Sequence, residues 1–170
     1  MPTKGDAQYR SALRSCVRGL WSGVFDYYDF YDKMMQAIDY YFTRAWHAAA
    51  KECGIAADEM TPDEKIALEQ AKNYEYQWID RFAQVIIDGS KANGGKLQPL
   101  MTRLEVWAGR YEGVKSKART MACGDQKLEW TLGATEHCSS CLKLAGKVKR
   151  ASYWHKMGIL PRVHDAAWLE

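Results

Sequence analysis

The sequence predicts a mainly α protein: long amphipathic helices forming a helical body over residues 1–123, followed by a small irregular α+β module over 124–170. Two observations carry this prediction. Apolar residues recur at spacings of three and four across most of the first 120 positions, which is the period of a helix with one buried face. Past Gly124 the pattern changes to short alternating and turn-rich stretches.

Leu13, Val17, Leu20, Val24, Phe25, Tyr28, Tyr31, Met35, Ile38, Phe42, Ala45 and Trp46 form the first periodic run. Gly19 and Gly23 lie inside it, so the run is either one helix or two packed helices, and Gly54 is the predicted C-cap. Thr61-Pro62-Asp63-Glu64 is a helix start: the Thr61 hydroxyl caps free N–H groups, Pro62 loses nothing at the first position, and Glu64 closes the capping box. Ile66, Gln70, Tyr74, Trp78, Phe82, Val85 and Ile86 then read as the stripe of a second long helix ending near Asp88-Gly89. A third follows Pro99, with Leu100, Leu104, Trp107, Tyr111 and Val114 as its buried face. In the module, residues 127–132 read as a short strand, 135–141 as a polar turn, and 142–148 as a second strand around Gly146. Ser152 reads as the cap of a short helix through Lys156.

The 170 residues include seven Trp and ten Tyr, a surplus that suits a packed core or a protein–protein surface. No stretch is apolar enough to span a membrane, and the polar opening Met1 to Gly5 is not that of a secretory signal. With five cysteines and no export signal, disulfides are not expected, and burial or metal binding is the better account. The net charge of +3 is unevenly spread: through Asp88 there are ten Lys/Arg against fourteen Asp/Glu, and from Gly89 onward fourteen against seven. Such asymmetry points to different partners for the two ends, or to solvated helix faces.

Chemistry-bearing patterns are few, and the chain is read as a non-enzyme. A P-loop, an HExxH motif and a serine nucleophile elbow are all missing from the sequence. Asp26, Asp29, Asp32 and Asp39, set among tyrosines, read as the wet edge of an aromatic stripe. Cys138 and Cys141 can face one metal from a tight turn, as at the start of a zinc knuckle. His155 and His164 are the candidates to complete a tetrahedral zinc site, with His137 and Cys123 behind them; two neighbouring thiols without metal are the alternative. Lys115, Lys117, Arg119, Lys143, Lys147, Lys149 and Arg150, near Trp130, Tyr153 and Trp154, suit phosphate contact and base stacking or simply a solvated face. The second functional class is therefore a zinc-containing nucleic-acid-binding protein associated with packaged DNA.

Several segments resemble a known family. Leu13-Arg14-Ser15-Cys16-Val17-Arg18-Gly19-Leu20-Trp21-Ser22-Gly23 is similar to the opening helix of the Mu F-like minor head proteins, the head morphogenesis proteins of tailed phages. Ala45-Trp46 through Cys53-Gly54-Ile55, with Asp58-Glu59-Met60-Thr61-Pro62-Asp63-Glu64, resembles the helical step that follows in that family. Trp130-Thr131-Leu132-Gly133, Thr135-Glu136-His137-Cys138, Cys141, Leu144-Ala145-Gly146-Lys147-Val148, Tyr153-Trp154 and Gly158-Ile159-Leu160-Pro161-Arg162 resemble its C-terminal module. The resemblance implies a virion structural protein, made in the host cytoplasm and built in multiple copies into the capsid near the portal vertex. Its partners would be the portal protein and the major capsid protein, with the helical body making the portal contact. Arg14, Arg18, Trp21, Phe25 and Tyr28, around the Gly19/Gly23 weak point, are the candidate partner-facing cluster, the alternative being that its aromatic residues pack within the molecule. Family members with such a cysteine pair carry a further ligand pair downstream; here His155 and His164 would take that place.

Overall fold

The structure, a computed structural model, describes residues 3–124, 127–132 and 139–157. It is mainly helical, with a small α+β module on the C-terminal side, as the sequence predicts. Helix α1 (Lys4–Ser22) opens on Thr3, whose hydroxyl accepts the Asp6 N–H at 3.3 Å, and closes on Gly23 at φ 83°. Only glycine enters that left-handed conformation at no steric cost. The first periodic run is therefore two helices. Helix α2 (Tyr27–Lys51) restarts on Asp26 and Asp29, which cap each other's backbone N–H at 2.8 and 3.2 Å. Its end passes through Glu52, the observed C-cap, to Gly54 at φ 75°.

Helix α3 (Pro62–Asp88) begins where the Thr61-Pro62-Asp63-Glu64 signal places it. The Glu64 N–H reaches the Thr61 hydroxyl at 3.2 Å, and the Thr61 N–H reaches the Glu64 carboxylate at 2.7 Å. Thr61→Ala is expected to lower stability by about 1 kcal/mol, read as a shift in denaturant midpoint at unchanged slope; an unmoved midpoint would mean the cap is redundant. Helix α4 (Gln98–Ala118) follows a loop in which Gly94 takes φ 75°, and it runs on as a π-turn, Arg119–Cys123.

Helix α2 packs against the other three long helices and α1 lies along α4, whereas α3 and α4 share a shorter seam. Tyr9, Leu13, Ile38, Phe42, Trp46, Phe82 and Trp107 belong to the core they enclose. The predicted stripe of α4 is buried throughout, but that of α3 is not. Its Phe82 and Ile86 are buried, but Ile66, Tyr74 and Trp78 are 56%, 53% and 36% exposed, and the buried face runs through Glu64, Leu68, Lys72, Glu75, Ile79, Phe82, Ala83 and Ile86. The rotation is possible because the three charges it buries are all paired, Glu64 with Arg150 at 2.8 Å. Lys72 meets Asp39 at 2.7 Å and Glu69 at 3.0 Å, and Glu75 meets Arg110. Buried charges are tolerated when so partnered.

In the module, β1 (Lys127–Glu129) pairs antiparallel with β2 (Val148–Arg150), Lys127 opposite Arg150. Residues 142–144 belong to a short helix, α5 (Ser139–Leu144), and not to the predicted second strand, which starts only after Gly146 turns the chain at φ 77°. Helix α6 (Ala151–Lys156) starts one residue ahead of Ser152 and buries Trp154, whose indole N–H donates to the Leu128 carbonyl at 3.0 Å. Arg150 ties the module to the start of α3 through a buried ion pair with Glu64 at 2.8 Å and a hydrogen bond to the Glu59 carbonyl.

Cysteine usage departs from expectation. Cys53, just past α2, and Cys123, at the end of the π-turn, form a disulfide with their Cα atoms 5.4 Å apart, inside the usual range for a bridge. Seventy positions separate the two, and the packing of α2 alongside α4 in the same direction brings their C-terminal ends, and so the two thiols, together. Cys123 is thereby committed to Cys53 and drops out of the candidate metal ligands. Among the described residues no helix is long and apolar enough to cross a membrane.

Candidate functional site

The cluster around the α1–α2 corner divides in two. Arg14 lies against Glu105 of α4 at 3.0 Å, and Trp21 is half-buried against the core. Phe25 folds back so that its ring covers Gly19, leaving no room for a side chain there, and Lys33 Nζ sits 4.9 Å from its centroid. Arg18 and Tyr28 point outward, with Tyr28 74% exposed and its ring edge-on to Tyr27 at 5.2 Å. The intramolecular contacts of Phe25 and Trp21 hold the corner rigid, and Val24 and Tyr28 are what it offers to solvent.

Of the proposed metal ligands, Cys138 and His164 lie outside the described residues, as do His137 and the side chain of His155. Cys141 stands half-buried in the short helix α5. Among the described residues no group of three or more His, Cys, Asp or Glu is placed to hold a metal ion. The basic and aromatic residues of the second half are not gathered on one face. Arg119 pairs with Glu52 at 3.0 Å, Lys115 is buried, and Arg150 and Trp154 are internal. Lys149 lies over the Tyr153 ring at 5.3 Å, on the wall of a cleft of about 840 Å³ between the hairpin and the start of α3. That cleft also holds Glu59, Asp63 and Glu64 against Lys127 and Arg150, so its charges largely cancel. The Ala56 N–H and then Lys127 hold the Glu59 carboxyl below its ordinary range.

A second hollow, about 340 Å³, lies along the short α3–α4 seam, and sequence reasoning missed it. Phe82 and Trp107 stack at 5.5 Å to form its floor, and Tyr74, Trp78, Arg81 and Arg103 stand around it. Arg110 lies 5.2 Å from the Trp107 ring and 5.8 Å from Tyr74, favourable cation–π geometry. Beneath it Glu75 accepts the Arg110 Nε–H through one carboxylate oxygen, and the other is buried with no hydrogen-bond partner. Burial outweighs the Arg110 interactions and raises the Glu75 pKa, and burial together with the Glu75 charge raises that of Tyr9. The signal that could have found the groove is Lys72 and Glu75 themselves. Two charges three positions apart, each with a counter-charge elsewhere in the chain, permit a face turned away from the aromatic one.

The Glu75 shift has a sign that can be checked. A carboxyl raised in the folded state holds its proton more tightly there than in the unfolded chain. Its stabilising contribution is therefore complete below the ordinary glutamate range and is lost as pH rises through the folded value. Glu75→Gln is expected to flatten this trend, so that the variant gains on the parent from acid to neutral pH in paired denaturation curves. Parallel pH profiles would refute the assignment. Compared with protein-family models, with curated proteins and with solved structures, the chain matches none.

Proposed function

We propose that this chain is a structural, non-enzymatic protein of a tailed-phage head, a minor head protein that docks onto the portal and capsid in several copies. The observation that carries the reading is the α1–α2 corner. The segment resembling the opening helix of the minor head proteins forms the second half of α1 and its Gly23 cap, and that corner presents Val24 and Tyr28 to solvent on a braced scaffold. A large aromatic held rigidly at a surface loses little entropy on binding, which suits a docking contact. A nucleic-acid role takes less support, because Arg150 and Trp154, two of the residues it would use, are packed inside.

Co-expression with the portal protein of the same phage, followed by size exclusion with mass measurement, tests the proposal. A complex of fixed stoichiometry that Val24→Ser/Tyr28→Ser weakens is the expected result. A folded chain that never joins the portal, or that is missing from purified virions, would overturn it. In that event salt-dependent DNA binding becomes the next measurement.

A further inference from the structure

The α3–α4 groove carries more positive charge than it neutralises. Glu75 is engaged by Arg110, and Arg81 and Arg103 are exposed with no carboxylate within ion-pair distance among the described residues. Trp78, Tyr74 and Val106 stand beside them, partly or largely in solvent. Trp, Tyr and Arg clustered in a hollow are the composition of interface anchors. On the outer flank of α4, side chains added at Gly109 or Gly113 would meet nothing, so a second helix can approach that flank closely.

The complementary charge lies close by. Helix α2 begins against the stretch of α3 that carries Arg81, because Tyr27 donates its hydroxyl to Asp80. There Tyr28, Asp29 and Asp32 are all exposed, and neither aspartate is in an ion pair among the described residues. An acidic, aromatic helix start and a basic, aromatic groove therefore occupy neighbouring faces of one molecule. That arrangement suits a self-complementary two-fold contact, in which the first patch of each copy meets the second patch of the other.

We propose that the chain pairs with a second copy of itself, the start of α2 in each copy (Tyr28, Asp29, Asp32) seating in its partner's α3–α4 groove against Trp78, Arg81 and Arg103. A nucleic-acid strand fits less well, since it needs a continuous cationic track, and the groove offers two uncompensated charges with Asp80 next to one of them. Such a dimer needs nothing from the phage assignment; since Tyr28 serves both contacts, a copy docked on a portal through Tyr28 is not paired in this way.

Sedimentation equilibrium of the full chain, from micromolar to near-millimolar and at two salt concentrations, tests it. The expected result is a monomer–dimer equilibrium that weakens with salt. Arg81→Glu/Arg103→Glu and, separately, Asp32→Lys should each raise the dimer dissociation constant by about tenfold or more, with helical circular dichroism unchanged. Mixing these two variants should restore a dimer, because swapped charges then face each other at one contact while the other contact stays native. A monomer at every concentration, a dimer indifferent to both variants, or a mixture that stays monomeric would each overturn the proposal. So would a monomer whose Arg81 and Arg103 bind a single-stranded oligonucleotide.

Discussion

Phe82→Ala is expected to cost about 3–5 kcal/mol of folding free energy. The Phe82 side chain is almost wholly buried, stacks on Trp107 at 5.5 Å and meets Phe30 edge-on at 6.3 Å. It thus joins α2, α3 and α4 across the short α3–α4 seam. Truncation removes the transfer energy of the ring and leaves a cavity that three helices would have to close together. The control lies one turn away: Trp78→Ala should cost only about 1 kcal/mol, since that ring stands in the groove. Denaturant unfolding of both variants decides which face of α3 is the core. Equal losses would restore the aromatic stripe as the buried one.

Opening the Cys53–Cys123 bridge is the second large effect. With 70 positions between the cysteines, the loss of loop-closure constraint on the unfolded chain is worth about 4 kcal/mol in the chain-entropy model. Unfolding with and without reductant should differ by that order, and Cys53→Ala/Cys123→Ala should behave like the reduced protein. A reductant effect that survives in the double variant would place the bridge elsewhere. A reducing cytoplasm keeps such pairs as thiols. A protein assembled there, as the head-protein proposal requires, is expected to carry both thiols free when alkylated inside the cell and to lose them after release into an oxidising medium. A bridge already formed in the cell would argue for another compartment.

The paired thiols also show what a linear reading misses. An odd count of five cysteines argues against a disulfide framework, and nothing local distinguishes Cys53 or Cys123. Their pairing follows from α2 and α4 lying side by side, with Glu52 and Arg119 joined at 3.0 Å next to them. The α3 face was misread for a related reason. Periodicity assigns aromatic residues inward and charged ones outward, a rule that holds only while charges lack partners. Asp39 and Arg110, the counter-charges that admit Lys72 and Glu75 to the interior, belong to α2 and α4. With those charges inside, Tyr74 and Trp78 turn outward and create the groove.

Local physics alone determined much of the rest. The mainly helical class, the Thr61-Glu64 capping box, the α4 stripe and the strand near Lys127 each depend on residues within about one helical turn of each other, so the sequence states them directly, whereas it leaves open whether the run through Gly23 is one helix or two. The tertiary structure alone decided which face of α3 is buried, which cysteines meet, that residues 142–144 wind as a helix, and that exposed arginines and exposed aspartates lie on adjoining surfaces. Each of these depends on groups distant in sequence becoming neighbours. The free energy that selects among such arrangements resides in the pairing of buried charges and the fit of side chains between helices, and neither has a signature along the chain.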